Sequence, residues 1–304
     1  MSKDEKTLSY GRHSVKASSW NKLLFPDAGI SKGDLLRYAE EIAEFLLPHI
    51  RDRPLSFERY PDGVQAQGFF QKNTPDYFPD WIRTENLEKE GGSIVHTLAD
   101  NTATLVYLAN QACITIHAGL SRVQSVHCPC ELMIDLDPSG KDFKPVQTAA
   151  RRLKEFLEKK LDLSSFVKFT GSRGLHVVVP LREDERFEQV RDFAKDLVQA
   201  MADAYPDDVT TEQRKNKRGN RIFLDINRNA YGQTAVAPYS VRVKSNAPVA
   251  CPVDWSEALD ARADAQRYTV KNILRRLGQK GDPWSGIRRH AVSIGKRHER
   301  LRRS

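Results

Sequence analysis

The sharpest alternation of apolar and polar positions falls at Glu131–Asp137. Leu132, Ile134 and Leu136 lie on one side of an extended chain, and Met133, Asp135 and Asp137 on the other. Residues 166–170 and 174–181 are apolar runs flanking Gly171, Ser172 and Arg173, which predicts two strands joined by a turn. Residues 222–227 and 234–243 predict two further strands, and 54–72 two short ones around the turn Tyr60-Pro61-Asp62-Gly63. Helical spacing begins after the start signal Ser31-Lys32-Gly33-Asp34. Leu35, Leu36, Ala39, Ile42, Ala43 and Leu46 predict a helix over 35–47 that Pro48 ends. Further helices are predicted over 102–112, 144–160 and 188–204, with polar loops at 88–92 and 212–221 and a helical, basic end. Strands and helices mix without a βαβ rhythm, so the expected class is α+β rather than a doubly wound sheet. Nothing marks an internal linker, and the expectation is one unit over 1–304, with an N-terminal segment of 1–50 and a helical tail from 256.

Hydrophobic residues make up 39% and charged residues 29%, enough to bury a core and too apolar for a disordered chain. The longest apolar runs are too short to cross a bilayer, and the polar start MSKDEKTLSY lacks the apolar stretch of a signal peptide. Four cysteines give no disulfide framework. The expected compartment is therefore a reducing cytoplasm, with no membrane partner. Forty-eight basic residues against 40 acidic give +8. Residues 262–304 hold 13 basic and 3 acidic residues, which leaves 35 basic and 37 acidic elsewhere. The tail thus carries the excess, as a solvated helix or as a contact for a polyanion such as nucleic acid.

Asp135 and Asp137 share a strand face beside an apolar core. Unpaired, they would repel and be costly to desolvate. A hard divalent cation, Mg²⁺ or Mn²⁺, relieves that cost; two solvated acids at an exposed strand end are the plainer reading. Asp225, again alternating with apolar neighbours, supplies a third acid, and three can hold two metals for phosphoryl transfer. The turn Thr170-Gly171-Ser172-Arg173-Gly174-Leu175-His176 offers backbone N–H groups, a hydroxyl and a fixed cation to an anion, or is a plain hairpin turn. Five basic residues from Arg214 to Arg221, beside the Asp225 strand, favour a phosphate backbone.

Asp135-Leu136-Asp137-Pro138, the 170–181 run, Arg221-Ile222-Phe223-Leu224-Asp225 and Ala235–Arg242 together resemble the polymerase domain of bacterial and archaeal ligase D. That family lies within the archaeo-eukaryotic primase superfamily. The likeness extends through Lys22–Pro26, Ser31–Asp34, Arg53–Ser56, Arg59–Gly63, Gly68–Lys72 and Gly281–Trp284. It implies a primase-type core with an RRM-like palm, adding nucleotides to DNA ends in non-homologous end joining. It also implies a preference for ribonucleotides over deoxyribonucleotides and two Mn²⁺ or Mg²⁺ ions. Asp135, Asp137 and Asp225 correspond to the metal ligands. Thr170, Ser172, Arg173, His176 and Arg242 correspond to contacts with the incoming nucleotide, His117 to a histidine near its sugar, and Phe70 to a base-stacking aromatic with Lys72 beside it. Lys22 and Lys32 resemble the pair that holds a downstream 5′-phosphate, which makes 1–50 the expected phosphate-binding segment. Gly91 and Gly92 lie in a loop matching one that helps synapse DNA ends; Lys215, Lys217, Arg218 and Arg221 lie in a second mobile loop, toward template DNA. Implied partners are broken, gapped or 3′-overhanging DNA with a 5′-phosphate, NTPs and dNTPs, and a separate DNA ligase and Ku.

Three departures stand out. Arg173 replaces the usual Lys with a planar, bidentate cation. Arg228 stands where some relatives carry an amide. His127-Cys128-Pro129-Cys130 has no counterpart and offers a zinc-like spacing without an evident fourth ligand. The residues alone also allow a metal-dependent nuclease or a non-catalytic DNA-end-binding module. A nucleotide cradle beside the acids favours synthesis over the first, and the intact acids argue against the second.

Overall fold

A computed structural model describes residues 4–303. The chain gathers into two compact units, each drawn from three segments. Unit 1 comprises Met1–Gly119, Thr234–Ala250 and Tyr268–Gly281; unit 2 comprises Leu120–Gln233, Cys251–Arg267 and Asp282–Ser304.

Unit 2 is built on β10 (Glu131–Asp137), β11 (Phe166–Phe169), β12 (Leu175–Pro180), β13 (Val209–Thr210), β14 (Ile222–Asp225) and β16 (Cys251–Val253). They form one sheet in the order β13-β14-β10-β12-β11-β16, antiparallel except for β13 beside β14. β10 has the bounds its alternation predicts. Leu132, Ile134 and Leu136 are fully buried, on the face covered by α4 (Lys144–Glu155) and α5 (Phe187–Ala204). α4 runs on through one π-turn to Lys160, so the predicted 144–160 helix is continuous in extent. Val146, Ala149, Ala150, Leu153 and Leu157 seal its inner side. Short α6 (Trp255–Ala258) follows β16, and α8 (Gly295–Arg303) ends the described chain.

Unit 1 begins with the hairpin β1 (Lys6–Tyr10) and β2 (His13–Ala17), then the short pair β3 (Leu23–Phe25) and β4 (Ile30–Ser31). Its sheet runs β15-β9-β5-β8-β7, with β6 also paired to β5. These strands are β5 (Leu55–Arg59), β6 (Phe69–Gln71), β7 (Thr84–Lys89), β8 (Gly92–Thr97), β9 (Cys113–Gly119) and β15 (Thr234–Val236). α1 (Lys32–Glu41) and α3 (Thr102–Asn110) pack together, and Leu36, Val106 and Ala109 join Val15, Ala17 and Trp20 in one cluster. α2 (Ala43–Ile50) and α7 (Ile273–Lys280) complete the unit.

Several elements depart from the periodic reading. The predicted 35–47 helix is two helices that break at Ile42, and α2 carries Pro48 inside it. A short helix tolerates the one backbone bond a proline removes in its second turn. The predicted 234–243 strand stops at Val236. Tyr239 is fully buried at φ +64°, with its carbonyl accepting from Tyr38 Oη at 2.7 Å and its N–H donating to Ala250. The loop predicted at 88–92 is the tip of the β7–β8 hairpin, with Lys89 paired to Gly92. The sequence boundaries at 50 and 256 do not coincide with the unit boundaries, because β15 and β16 return from late in the chain to pair with β9 and β11.

Gly174 opens β12, and a Cβ there would lie 2.1 Å from the Leu136 carbonyl oxygen, a backbone atom of the central strand. Gly174→Ala must therefore push β12 away from β10. We expect a loss of about 1–3 kcal/mol, the usual range for overpacking, read as a fall of about 3–10 °C in Tm by circular dichroism. An unchanged Tm would mean that the two strands are not held this close.

Candidate active site

Cross-strand register builds a group of polar side chains on unit 2. Asp135 is paired with Asp225 on one side and with His176 on the other, and His176 in turn with Lys168. Residues directly opposite in an antiparallel pair point to the same face. Lys168, His176, Asp135 and Asp225 thus form one row across four strands, and Asp137 lies on the same face two residues along β10. Burial is graded along the row: Lys168 and His176 are buried, while Asp135 and Asp225 are half-buried. His176 Nε2 lies 3.5 Å from Asp135 Oδ2.

Asp137 engages two arginines. Arg173 Nη2 reaches Oδ1 and Arg218 Nη1 reaches Oδ2, each at 3.1 Å. Arg218 is buried, donates to the carbonyls of Glu212 and Gln213, and stacks its guanidinium 4.1 Å from the centre of the Phe223 ring. The loop it belongs to is closed from the other side by Arg221, which donates to the carbonyls of Lys217 and Arg218; Lys215 and Lys217 remain exposed. Among the described residues, no three His, Cys, Asp or Glu side chains gather closely enough to hold a metal ion.

The 170–174 turn is organised by Thr170. Its Oγ1 donates to the Gly174 carbonyl and accepts from the N–H groups of Ser172 and Gly174. Gly171 takes φ +66°, and Gln266 Nε2 donates to the Ser172 carbonyl. Thr170 therefore shapes the turn from beneath, and Ser172 and Arg173 are its outward members. His127 packs on Tyr231, and the Cys130 thiol donates to the Leu120 carbonyl, so this cysteine segment is tied into local packing.

Unit 1 carries a second group on β5, β6 and β9. His117 on β9 lies beside Ser56 in register, and its Nε2 meets Glu58 Oε1 at 2.7 Å. The hydrogen bond from His117 holds the Glu58 carboxyl below its ordinary range; burial opposes this, and the charges of His117, Arg242 and Lys244 support it. Phe70 stands edge-on to His117 with ring centroids 5.5 Å apart. Strand alternation places Phe69 and Phe70 on opposite faces, so at least one is expected outside the core; both are about half exposed, and Arg59 lies 5.4 Å from the Phe69 ring centre. Lys72, just past β6, is exposed.

Lys22 and Lys32 converge. The antiparallel β3–β4 pair brings Leu23 opposite Ser31, and Lys32 N–H donates to the Lys22 carbonyl at 2.8 Å. Lys32 is buried at the start of α1, where Ser31 and Asp34 form a capping box. Burial first, and then the ammonium of Lys22, push the Lys32 ammonium below its ordinary value. Lys22 meanwhile bridges to exposed Asp62 at 2.7 Å.

Comparison with known proteins follows this geometry. The family model for the LigD primase-polymerase domain matches residues 31–284. The bifunctional non-homologous end joining protein LigD of Bacillus subtilis is 30% identical over 272 residues, covering 89% of this chain and 43% of that protein. The multifunctional LigD of Mycolicibacterium smegmatis is 29% identical, over 88% of this chain and 35% of its own length. The chain thus spans less than half the length of these curated relatives. The polymerase domain of Mycobacterium tuberculosis ligase D, solved in complex with DNA, superposes with a TM-score of 0.84 at 28% identity, over 91% of this chain and 99% of that one. The mixed helices and sheets are those of a primase-type polymerase domain, a DNA-directed nucleotidyltransferase. The chain belongs to the LigD primase-polymerase domain family.

Four residues with evident parts in this geometry escaped the sequence reading. Lys168 and Gln266 carried no local signal. Glu58 stands on a strand whose alternation was visible, but its partner His117 is 59 residues away. Asn229 is fully buried; its side chain accepts from Met133 N–H and donates to Met133 C=O, which extends the β14–β10 pairing past Asp225.

Glu58 gives a test of sign. A carboxyl held below its ordinary range contributes stability that is present above that range and lost as pH falls through and below it. Urea denaturation of the parent should show this loss on acidification from neutral pH, and Glu58→Gln should show a smaller one. Equal acid sensitivity of the two would remove Glu58 as a contributor.

Proposed function

We propose that this chain adds nucleotides to the 3′ ends of gapped or broken DNA, favouring ribonucleotides, by phosphoryl transfer supported by two divalent ions. The observation that carries this reading is the in-register pair Asp135 and Asp225, with Asp137 on the same face and the cationic 170–174 turn at its edge. The donor types suit Mn²⁺ or Mg²⁺, being oxygen-only, anionic and half-exposed, and since the three carboxylates are not gathered closely enough to hold an ion in this structure, binding would draw them together. Asp135, Asp137 and Asp225 would hold the ions, which when bound stabilise charge on the attacking and leaving oxygens. For Asp137 to take part, at least one of its two arginine contacts must give way. A released Arg173 or Arg218 is then a cation beside the phosphates.

The remaining residues bind and orient. Ser172, Arg173 and the turn N–H groups receive phosphate oxygens, and Thr170 keeps the turn in shape. His176 steadies Asp135. In unit 1, Arg242 is the phosphate-directed cation, His117 the sugar-side group and Phe70 the stacking ring, with Lys72 nearby. Lys215, Lys217, Arg218 and Arg221 offer a basic loop to the template backbone. A nuclease would use the same acids, but the cationic turn supports holding a triphosphate. The reading calls for a separate DNA ligase and Ku as partners, and makes 1–50 the 5′-phosphate segment of one end-joining polymerase over 1–304.

Primer extension with Mn²⁺ and NTPs tests the reading. Asp135→Ala, Asp137→Ala and Asp225→Ala should each lose at least about a hundredfold in rate, as removal of one charge-stabilising element does, while DNA binding persists. The parent should use GTP more efficiently than dGTP opposite template C. Near-parent extension by any of the three variants would refute that residue's role, and shortening of the primer would favour the nuclease.

The lysine pair gives a separate test. A phosphate reaching Lys22 competes with Asp62 and relieves the repulsion between the two ammoniums. A downstream 5′-phosphate should tighten binding to a gapped duplex in fluorescence anisotropy, more so at low salt. Lys22→Ala combined with Lys32→Ala should abolish that gain and leave binding to the unphosphorylated gap largely unchanged. If the double variant keeps the full preference, the phosphate site lies elsewhere.

A further inference from the structure

The last described residues lie beyond the 31–284 span shared with the family and form a charged surface with a defined seat on unit 2. Residues 285–304 contain seven basic residues and one acidic. Some of these cations dock the segment. Arg288 pairs with Glu183 at 3.0 Å, and Arg302 and His298 share Asp196 at 2.9 and 2.7 Å. Arg297 donates to the carbonyls of Ser293 and Asp162. Glu185 on the facing segment accepts from the N–H groups of Ile294 and Gly295, which caps α8. Leu301 and Ile294 are buried, and Val292 bridges Leu181 at the end of β12. α8 is thus a fixed platform on α5.

What this docking leaves facing outward is a stripe. At 100° per residue, Lys296, Arg300 and Arg303 fall within about 60° of one another, opposite Leu301. All three are exposed. The one acid beside them is Glu299, 4.0 Å from Arg303 and 71% exposed, a distance and exposure at which an ion pair is worth little. The stripe is about 10 Å long, which spans about three nucleotides of one strand at 3.4 Å each. It is also remote from the acids. Leu181 is five residues along β12 from His176, about 16 Å, and α8 belongs to the helix layer on the face opposite Asp135 and Asp137.

We propose that the outward face of α8, through Lys296, Arg300 and Arg303, is a second DNA contact that grips the phosphate backbone of duplex away from the acidic strand face. Its contacts fall on phosphate oxygens, where Arg and Lys position a protein on the duplex without reading its sequence. The inference rests on the reading of this chain as DNA-acting, and the charge complementarity of the stripe selects a nucleic acid backbone as the occupant.

The experiment compares the parent with Lys296→Gln/Arg300→Gln/Arg303→Gln by anisotropy. The probe is a blunt, 5′-hydroxyl duplex of about 40 base pairs, titrated from about 50 to about 300 mM salt. The three positions are exposed, so the fold should survive, and matching circular dichroism melts verify it. Each phosphate contact contributes about 0.9 to the slope of log K against log salt. The triple variant should therefore have a slope shallower by about 2–3 and weaker binding at the lowest salt. Extension of a short primer–template at saturating DNA should be unchanged, since such a duplex engages the acidic face alone. Glu299→Lys, which adds a cation to the same face, should tighten binding and steepen the slope. A salt-dependent parent whose slope matches that of the triple variant overturns the proposal and returns the stripe to an acidic protein partner or to solvent. A parent with no salt-dependent duplex binding overturns both this proposal and the DNA-directed reading beneath it.

Discussion

One row of side chains across the unit 2 sheet governs what chemistry the protein can support. Lys168, His176, Asp135 and Asp225 stand side by side on four neighbouring strands, running from a buried cation to half-exposed carboxylates. Opposed like charges in a sheet are destabilising, so Asp135 and Asp225 persist as neighbours only with opposite charge at hand. In this structure such charge comes from Arg173 and Arg218 at Asp137, while His176 Nε2 lies 3.5 Å from Asp135. The proposed metal ions and phosphates would answer the same constraint, by taking over contacts that Arg173 and Arg218 make at Asp137.

That row depends on parts that do no chemistry. The close approach at Gly174 lets β12 lie against β10 in the required register, and Asn229 continues the pairing of β14 with β10 where the backbone can no longer do so. Thr170 fastens the turn that carries Arg173. In unit 1 the equivalent support comes from Tyr38, which holds the buried left-handed Tyr239 three residues before Arg242, and from Ser240, which accepts from Ile116 N–H beside His117. Both units rely on hydrogen bonds between positions far apart in sequence.

Charge is likewise sorted by position rather than by amount. On the 212–221 loop Arg218 lies against Asp137 while Lys215 and Lys217 stay exposed, Lys22 and Lys32 are brought together by a two-strand turn, and the cations of α8 divide between docking and an outward stripe. A count of +8 is silent on this division.

The sequence by itself determined β10, α4 and α5, because their periodicity marks one face for burial, and β12, as an apolar run opened by a glycine turn. It also singled out the three aspartates, which occupy polar positions of strand alternation. The resemblance in ordered motifs determined the family. Tertiary structure alone decided the rest. The break at Ile42, the end of β15 at Val236 and the exposure of both Phe69 and Phe70 appear only in the folded chain. The pairing of Glu58 with His117, the place of Lys168 in the row and the two arginines on Asp137 follow from register and loop closure. Local pattern records which face of an element is apolar; which residue stands opposite another across strands tens of residues apart is set only when the sheet assembles.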